Sequence, residues 1–122
     1  MNTKQIIVLI KFKSLRTGKY CAQAAHASLG SYFVLENMKT EKSNLIKNNW
    51  LQTSFRKIVL YVESVEDLYE LESNCKESDI PCRMIVDNGT TEFNGIPTVT
   101  ALGIGPWIDK EIDFIIKDLK LF

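Results

Sequence analysis

At 122 residues, with 45% hydrophobic and 25% charged side chains, the chain has room for one hydrophobic core and not two, so a single soluble domain over 1–122 is expected. No apolar run approaches the ~20 residues of a membrane span, and the run at 5–10 is too short for a signal-peptide core, which argues against a membrane helix or secretory leader and points to the cytoplasm. Fifteen basic and fifteen acidic residues cancel, yet residues 1–35 carry +5, 36–62 carry +3 and 63–122 carry −8, so the basic N-terminal half either meets a polyanion or is simply a solvated end.

In chain order, Gln5–Phe12 is a nearly continuous apolar run, the pattern of a central strand covered on both faces. Lys13–Gly18 is a basic loop, and Lys19 to about Lys39 is a long helix. The polar stretch Thr40–Ser54 holds a short helix around Asn44–Leu51, and Arg56–Glu63 is a second strand. Ser64-Val-Glu-Asp67 resembles a capping box and opens a helix to about Glu77, with Val65, Leu68, Leu71 and Cys75 inward. Pro81–Val86 is a third strand, Asp87–Pro97 a Gly- and Thr-rich loop, and Thr98–Ile104 a fourth strand that Gly105-Pro106 stops. Residues 109–119 form a last helix with Ile112, Ile115, Ile116 and Leu119 inward. The alternation predicts a three-layer α/β domain with a mostly parallel sheet. Cys21, Cys75 and Cys82 are widely spaced and there is one His, so they read as buried free thiols; no metal site and no cofactor is expected.

The most informative stretch is Gly18-Lys-Tyr-Cys-Ala-Gln-Ala-Ala-His-Ala27. At about 100° per residue, Lys19, Gln23 and His26 (i, i+4, i+7) share one helix face. Cys21, Ala25, Leu29 and Tyr32 make a second, apolar stripe suited to the core, which makes Leu29 a core residue and Lys19 a surface one. Lys19 lies at the positively polarised helix start, where anions such as phosphate bind. A lone helical His more often braces a neighbouring loop than acts as a base. Ser28 points away from His26, so a Ser/His/Asp triad is not supported.

Ligands of open α/β sheets gather at the carboxyl ends of strands. Three segments leave such ends: Lys11–Lys19, Asp87–Glu92 and Gly103–Trp107. Asp87-Asn-Gly-Thr-Thr91-Glu offers a carboxylate and two hydroxyls, although Asp-Asn-Gly alone is also an ordinary turn. Gly103-Ile-Gly105 is only a fragment of a dinucleotide fingerprint and reads as a strand-to-helix turn.

Together these motifs resemble the peptidyl-tRNA hydrolase type II family. The resemblance runs from Lys4-Gln-Ile-Ile-Val-Leu9 through Gly18-Lys19-x-x-Ala-Gln23-x-Ala-His26-Ala-Ser and Asp87-Asn-Gly-Thr-Thr91-Glu-Phe. It continues with Gly95-Ile-Pro-Thr98-Val-Thr100-Ala-Leu-Gly-Ile-Gly-Pro106 and ends with Asp118-Leu-Lys-Leu-Phe122. Trp50, Phe55 and the Thr-Glu-Phe-x-Gly-Ile-Pro segment look like a bacterial or phage branch. The resemblance implies a three-layer α/β/α single domain around a mixed, mostly parallel four-stranded sheet, often found as a homodimer. It implies hydrolysis of the ester between a peptide and the 3′ ribose of tRNA, which recycles tRNA. Lys19, Asp87 and Thr91 match family functional positions, and a further Thr position matches Thr100, with Thr98 as its rival. Gln23 and His26 match as supporting residues of the helix motif. The chain departs from the family where Lys11-Phe12-Lys13 replaces Arg-x-Asp and where Glu92 replaces the commoner Gln.

The implied chemistry is feasible for these residue types. Lys19 can stabilise an oxyanion. Asp87 can orient Lys19 or take a proton from water. Thr91 and Thr100 can place that water or the ribose hydroxyl. Lys11, Lys13 and Arg16, with no acidic neighbour in sequence, are the expected tRNA-phosphate ligands. Two other functions fit less of the chain. A non-catalytic tRNA- or partner-binding domain would not need Lys19, Asp87 and the threonines. A small-molecule enzyme would not need the basic N-terminal half.

Overall fold

The computed structural model describes residues 1–122. Its central strand is β1 (Thr3–Ile10), buried along its whole length. The chain then forms α1 (Thr17–Met38), α2 (Glu41–Gln52), β2 (Lys57–Val62), α3 (Val65–Glu77), β3 (Cys82–Asp87), β4 (Thr98–Ile108), α4 (Asp109–Ile116) and the two-residue β5 (Lys120–Leu121). The sheet order is β3-β4-β1-β2-β5.

Two parts of the expected architecture are corrected. The sheet has five strands, and it is not mostly parallel: β1–β2 is the one pair of neighbouring strands that is parallel. The parallel pair is the one joined by helices. Between β3 and β4 the Asp87–Pro97 segment contains only a 3-10 turn at Phe93–Gly95, and without a crossover helix the two strands pair antiparallel. The fifth strand is the tail after α4, which hydrogen-bonds along β2 and is too short to show a period in sequence.

Gly105-Pro106 does not stop β4. The strand runs through to Ile108, because beyond Ile104 it pairs with β1 alone and an irregularity between Lys4 and Ile6 absorbs the proline, which has no N–H to donate. Ser64 accepts the Asp67 N–H as expected, but the full reciprocal box sits at Thr40 and Ser43, where α2 starts. No helix is long and apolar enough to cross a membrane.

The two faces of the sheet have different cores. Ile6, Val8 and Ile10 join Leu60, Val62, Leu102 and Ile104 against α3 and α4. Ile7 and Leu9 join Ala101 and Ala27 against α1. The α1 face is unusual, because its buried stripe is Gln23, Ala27, Ser31 and Leu35. The expected core stripe is therefore wrong: Cys21, Ala25 and Leu29 are exposed and Tyr32 is half-buried. The helix comes close because β4 presents Gly103, where a Cβ would run into the Ala27 carbonyl and the Ser31 side chain. At that separation small and polar residues fit, and the polar ones are satisfied. Ser31 donates to the Gly105 carbonyl. Buried Gln5 donates to the Ser28 (2.8 Å) and Gly105 (3.1 Å) carbonyls and accepts from the Ser28 hydroxyl. Gly103-Ile-Gly105 is thus a seat for α1 rather than a turn. Cys75 is buried as expected, Cys82 is half-buried, and Cys21 is exposed.

Candidate active site

At one end of the sheet, β1 and β3 finish and antiparallel β4 begins. The first turn of α1 and the β3–β4 loop meet there. Asp87-Asn-Gly forms the turn that its sequence suggests. Asp87 Oδ1 accepts the Gly89 N–H at 2.7 Å, an Asx-type turn. Gly89 has φ +84°, and a Cβ there would strike the Ile96 backbone. The turn leaves Oδ2 free for other partners.

Lys19 Nζ lies 2.7 Å from Asp87 Oδ2 and donates to Thr91 Oγ1 at 2.9 Å. Gln23 Nε2 donates to the same Asp87 Oδ2 at 2.8 Å, and Thr100 Oγ1 donates to Gln23 Oε1 at 2.7 Å. The chain of partners is Thr100, Gln23, Asp87, Lys19, Thr91, running from the buried sheet to the surface. Gln23 and Thr100 are about 1% exposed, whereas Thr91 is open to solvent. An ammonium has three N–H donors, and two are engaged here, so Lys19 keeps one.

The Lys19 ammonium holds the Asp87 carboxyl below the usual carboxylate range. Burial opposes this, and the Gly89 N–H and Gln23 amide add to the lowering. The sign follows: a carboxyl depressed on folding contributes stability that is present above its unfolded value of about 3.9 and is lost as pH falls through the lower folded value. The stability gap between the parent and Asp87→Asn is therefore expected to be constant above about pH 5 and to shrink below about pH 4. Urea unfolding of both proteins across that range checks it; a gap that closes near neutrality would contradict it.

Not every expected residue enters this network. His26 is exposed and makes none of these bonds; it precedes Ala27, which faces the sheet, and so points about 100° away. Thr98 donates to the Ile96 carbonyl at 2.8 Å, so of the two candidate threonines Thr100 is the one joined to Gln23. The third strand-end segment, Gly103–Trp107, lies away from the site, since antiparallel β4 brings its N-terminal end there.

Lys11 and Lys13 are exposed on the β1–α1 loop. Arg16 does have an acidic partner: its Nε lies 2.7 Å from Glu92 Oε1. This pair, with the Phe12 and Phe93 rings 5.1 Å apart, ties the β1–α1 loop to the loop that carries Thr91. Sequence reasoning missed both links, which join residues more than seventy positions apart. No group of three or more His, Cys, Asp or Glu side chains with metal-binding geometry occurs.

A family model described as "Peptidyl-tRNA hydrolase PTH2" matches residues 3–122. The chain is 38% identical to a peptidyl-tRNA hydrolase of Methanopyrus kandleri, over 97% of each chain. It is 38% identical to that of Methanothermobacter thermautotrophicus, over 97% of this chain and 98% of the relative. It is 35% identical to that of Halobacterium salinarum, over 98% and 99%. These relatives are archaeal and give no support to a bacterial or phage branch. Trp50 and Phe55, which suggested one, pack ring on ring at 4.8 Å, and the Trp50 indole donates to the Arg56 carbonyl. Among solved structures, a protein of unknown function from Agrobacterium shares the fold at TM-score 0.52 and 13% identity, over 100% of this chain and 98% of that one.

Proposed function

The chain belongs to the peptidyl-tRNA hydrolase PTH2 family, and from that premise we propose how its residues carry the reaction. The activity is hydrolysis of the ester joining a peptide to the 3′-terminal ribose of tRNA, a carboxylic ester hydrolysis that frees the tRNA. Water adds to the ester carbonyl, the carbonyl oxygen takes up negative charge, and the C–O bond to the ribose then breaks as the ribose oxygen takes up the proton that the water gives up. The observation that carries the assignment of roles is Lys19 Nζ, held between Asp87 and Thr91 with one N–H uncommitted.

In this reading Lys19 donates to the developing oxyanion. Its direction is set beforehand, so no reorganisation is needed at the moment of reaction. Thr91 accepts from Lys19 and keeps its own hydroxyl proton to donate to the incoming water or the ribose oxygen. Asp87, held ionised by its three donors, is a weak base and serves to fix the Lys19 ammonium in place. Gln23 and Thr100 are too buried to meet substrate and act as positioning residues through Asp87. Lys11 and Lys13 meet phosphates, and Arg16 contributes less because Glu92 neutralises it.

The test is release of free tRNA from an N-blocked peptidyl-tRNA by the pure protein, with and without EDTA. Turnover that survives the chelator is expected. A protein that binds tRNA tightly but releases none would instead support the binding-domain reading.

A further inference from the structure

An α/β sheet normally buries both faces, and here one corner is left open. α1 lies over β3, β4 and β1, while the same face of β2 and β5 extends past it. The result is a groove of about 900 Å³ between the start of α1, the β1–α1 loop and the chain's tail. Its floor is apolar, with Leu9 and Val59 from the sheet and Ala24 from α1.

Aromatic rings cluster along the groove. The Phe122 ring lies 4.8 Å from Tyr20 and 6.2 Å, edge-on, from Tyr61. The Lys11 ammonium stands 4.6 Å from the Tyr61 ring centre and 5.6 Å from that of Phe122. Lys13 and Arg16 complete the rim, and no Asp or Glu side chain lines the groove. Phe122 is 44% exposed, so its ring has a free surface.

The groove adjoins the active site. Tyr20 lines it while Lys19, the preceding residue, faces Asp87. The Arg16–Glu92 pair and the Phe12–Phe93 contact connect its loop to that of Thr91. Cations interleaved with exposed rings are the features that hold unpaired nucleotides: phosphates on the charges, bases on the rings. A peptide of arbitrary sequence brings no regular anion to match two lysines in a groove with no Asp or Glu side chain.

We propose that this groove seats the unpaired CCA end of tRNA, with bases against the Tyr20 and Phe122 rings that line it and phosphates on Lys11 and Lys13. The assignment rests on the peptidyl-tRNA reading above and adds where the tRNA terminus lies when its ribose reaches Lys19.

Binding of deacylated tRNA, intact or trimmed of its CCA end, tests it at one fixed salt concentration. The parent is expected to bind the intact form about ten-fold more tightly. Phe122→Ala should bind the two forms nearly alike, and Phe122→Trp, which keeps a ring, should retain the difference. Lys11→Gln should shrink it, and carries the test if Phe122→Ala does not fold. Phe114→Ala, exposed on α4, should behave as the parent.

A parent that does not distinguish the two tRNAs would overturn the proposal, as would a Phe122→Ala protein that distinguishes them as the parent does. So would a Phe122→Ala defect in KM that follows the size of the peptide rather than the CCA end, since the groove would then hold the peptide. Parallel tRNA release by the parent from peptidyl-tRNA keeps these outcomes separate from failure of the hydrolase reading.

Discussion

Lys19→Met is expected to lose roughly a hundred- to a thousand-fold in turnover, the usual effect of removing one oxyanion donor, and also to melt below the parent. The second effect runs against the view of Lys19 as a surface residue. Its side chain is 15% exposed and its partner Asp87 only 7%. Removing the ammonium leaves a carboxylate with little solvent and two neutral or backbone donors, Gln23 and Gly89. Breaking a buried ion pair by deleting one partner costs about 3–5 kcal/mol, and this pair lies near enough to the surface to fall at or below the lower end. Initial rates and thermal melts on the same preparation check both effects. A variant with near-parental rates would remove Lys19 from the reaction.

The second large effect separates two leucines on the same helix. Leu35→Ala is expected to destabilise by about 2–5 kcal/mol, as truncation of a buried leucine does, whereas Leu29→Ala should stay within about 0.5 kcal/mol. Leu35 is 1% exposed and joins the larger core, while Leu29 is 56% exposed. Urea midpoints of the two variants decide it, and equal losses would mean that α1 is rotated from the orientation described.

That rotation shows where the sequence is legible and where it is not. β1, α3 and the inner positions Leu68, Leu71 and Cys75 follow from apolar periodicity, because those elements bury apolar side chains on ordinary surfaces. The phase of α1 does not, because its buried stripe is made of what the hydrophobic pattern reads as polar or neutral. Gly103 lets the helix approach until only Ala27 and Ser31 fit, and Gln23 is drawn inward by Asp87 and Thr100.

The pairing of Lys19 with Gln23 on one face was readable from their spacing. His26 lies off the buried line, which advances by four residues and passes through Ala27 instead. The strand directions held one unused signal: Asp87–Pro97 has no helix, and a helix-free loop of that length joins antiparallel neighbours. That direction puts the start of β4, with Thr100, at the end of the sheet where β3 finishes, and Gly103–Trp107 away from it. The two-residue β5 and the Arg16–Glu92 pair carry no local signal at all, because each is a contact between distant segments.

The most direct measurement is turnover and melting of the double variant Lys19→Met with Asp87→Asn. Removing both charges relieves the unpaired carboxylate, so the melting temperature should return toward the parent's, while tRNA release from peptidyl-tRNA stays as low as in Lys19→Met alone. Recovery of the rate along with stability would contradict the account, because Lys19 would then serve the fold and the chemistry would lie elsewhere.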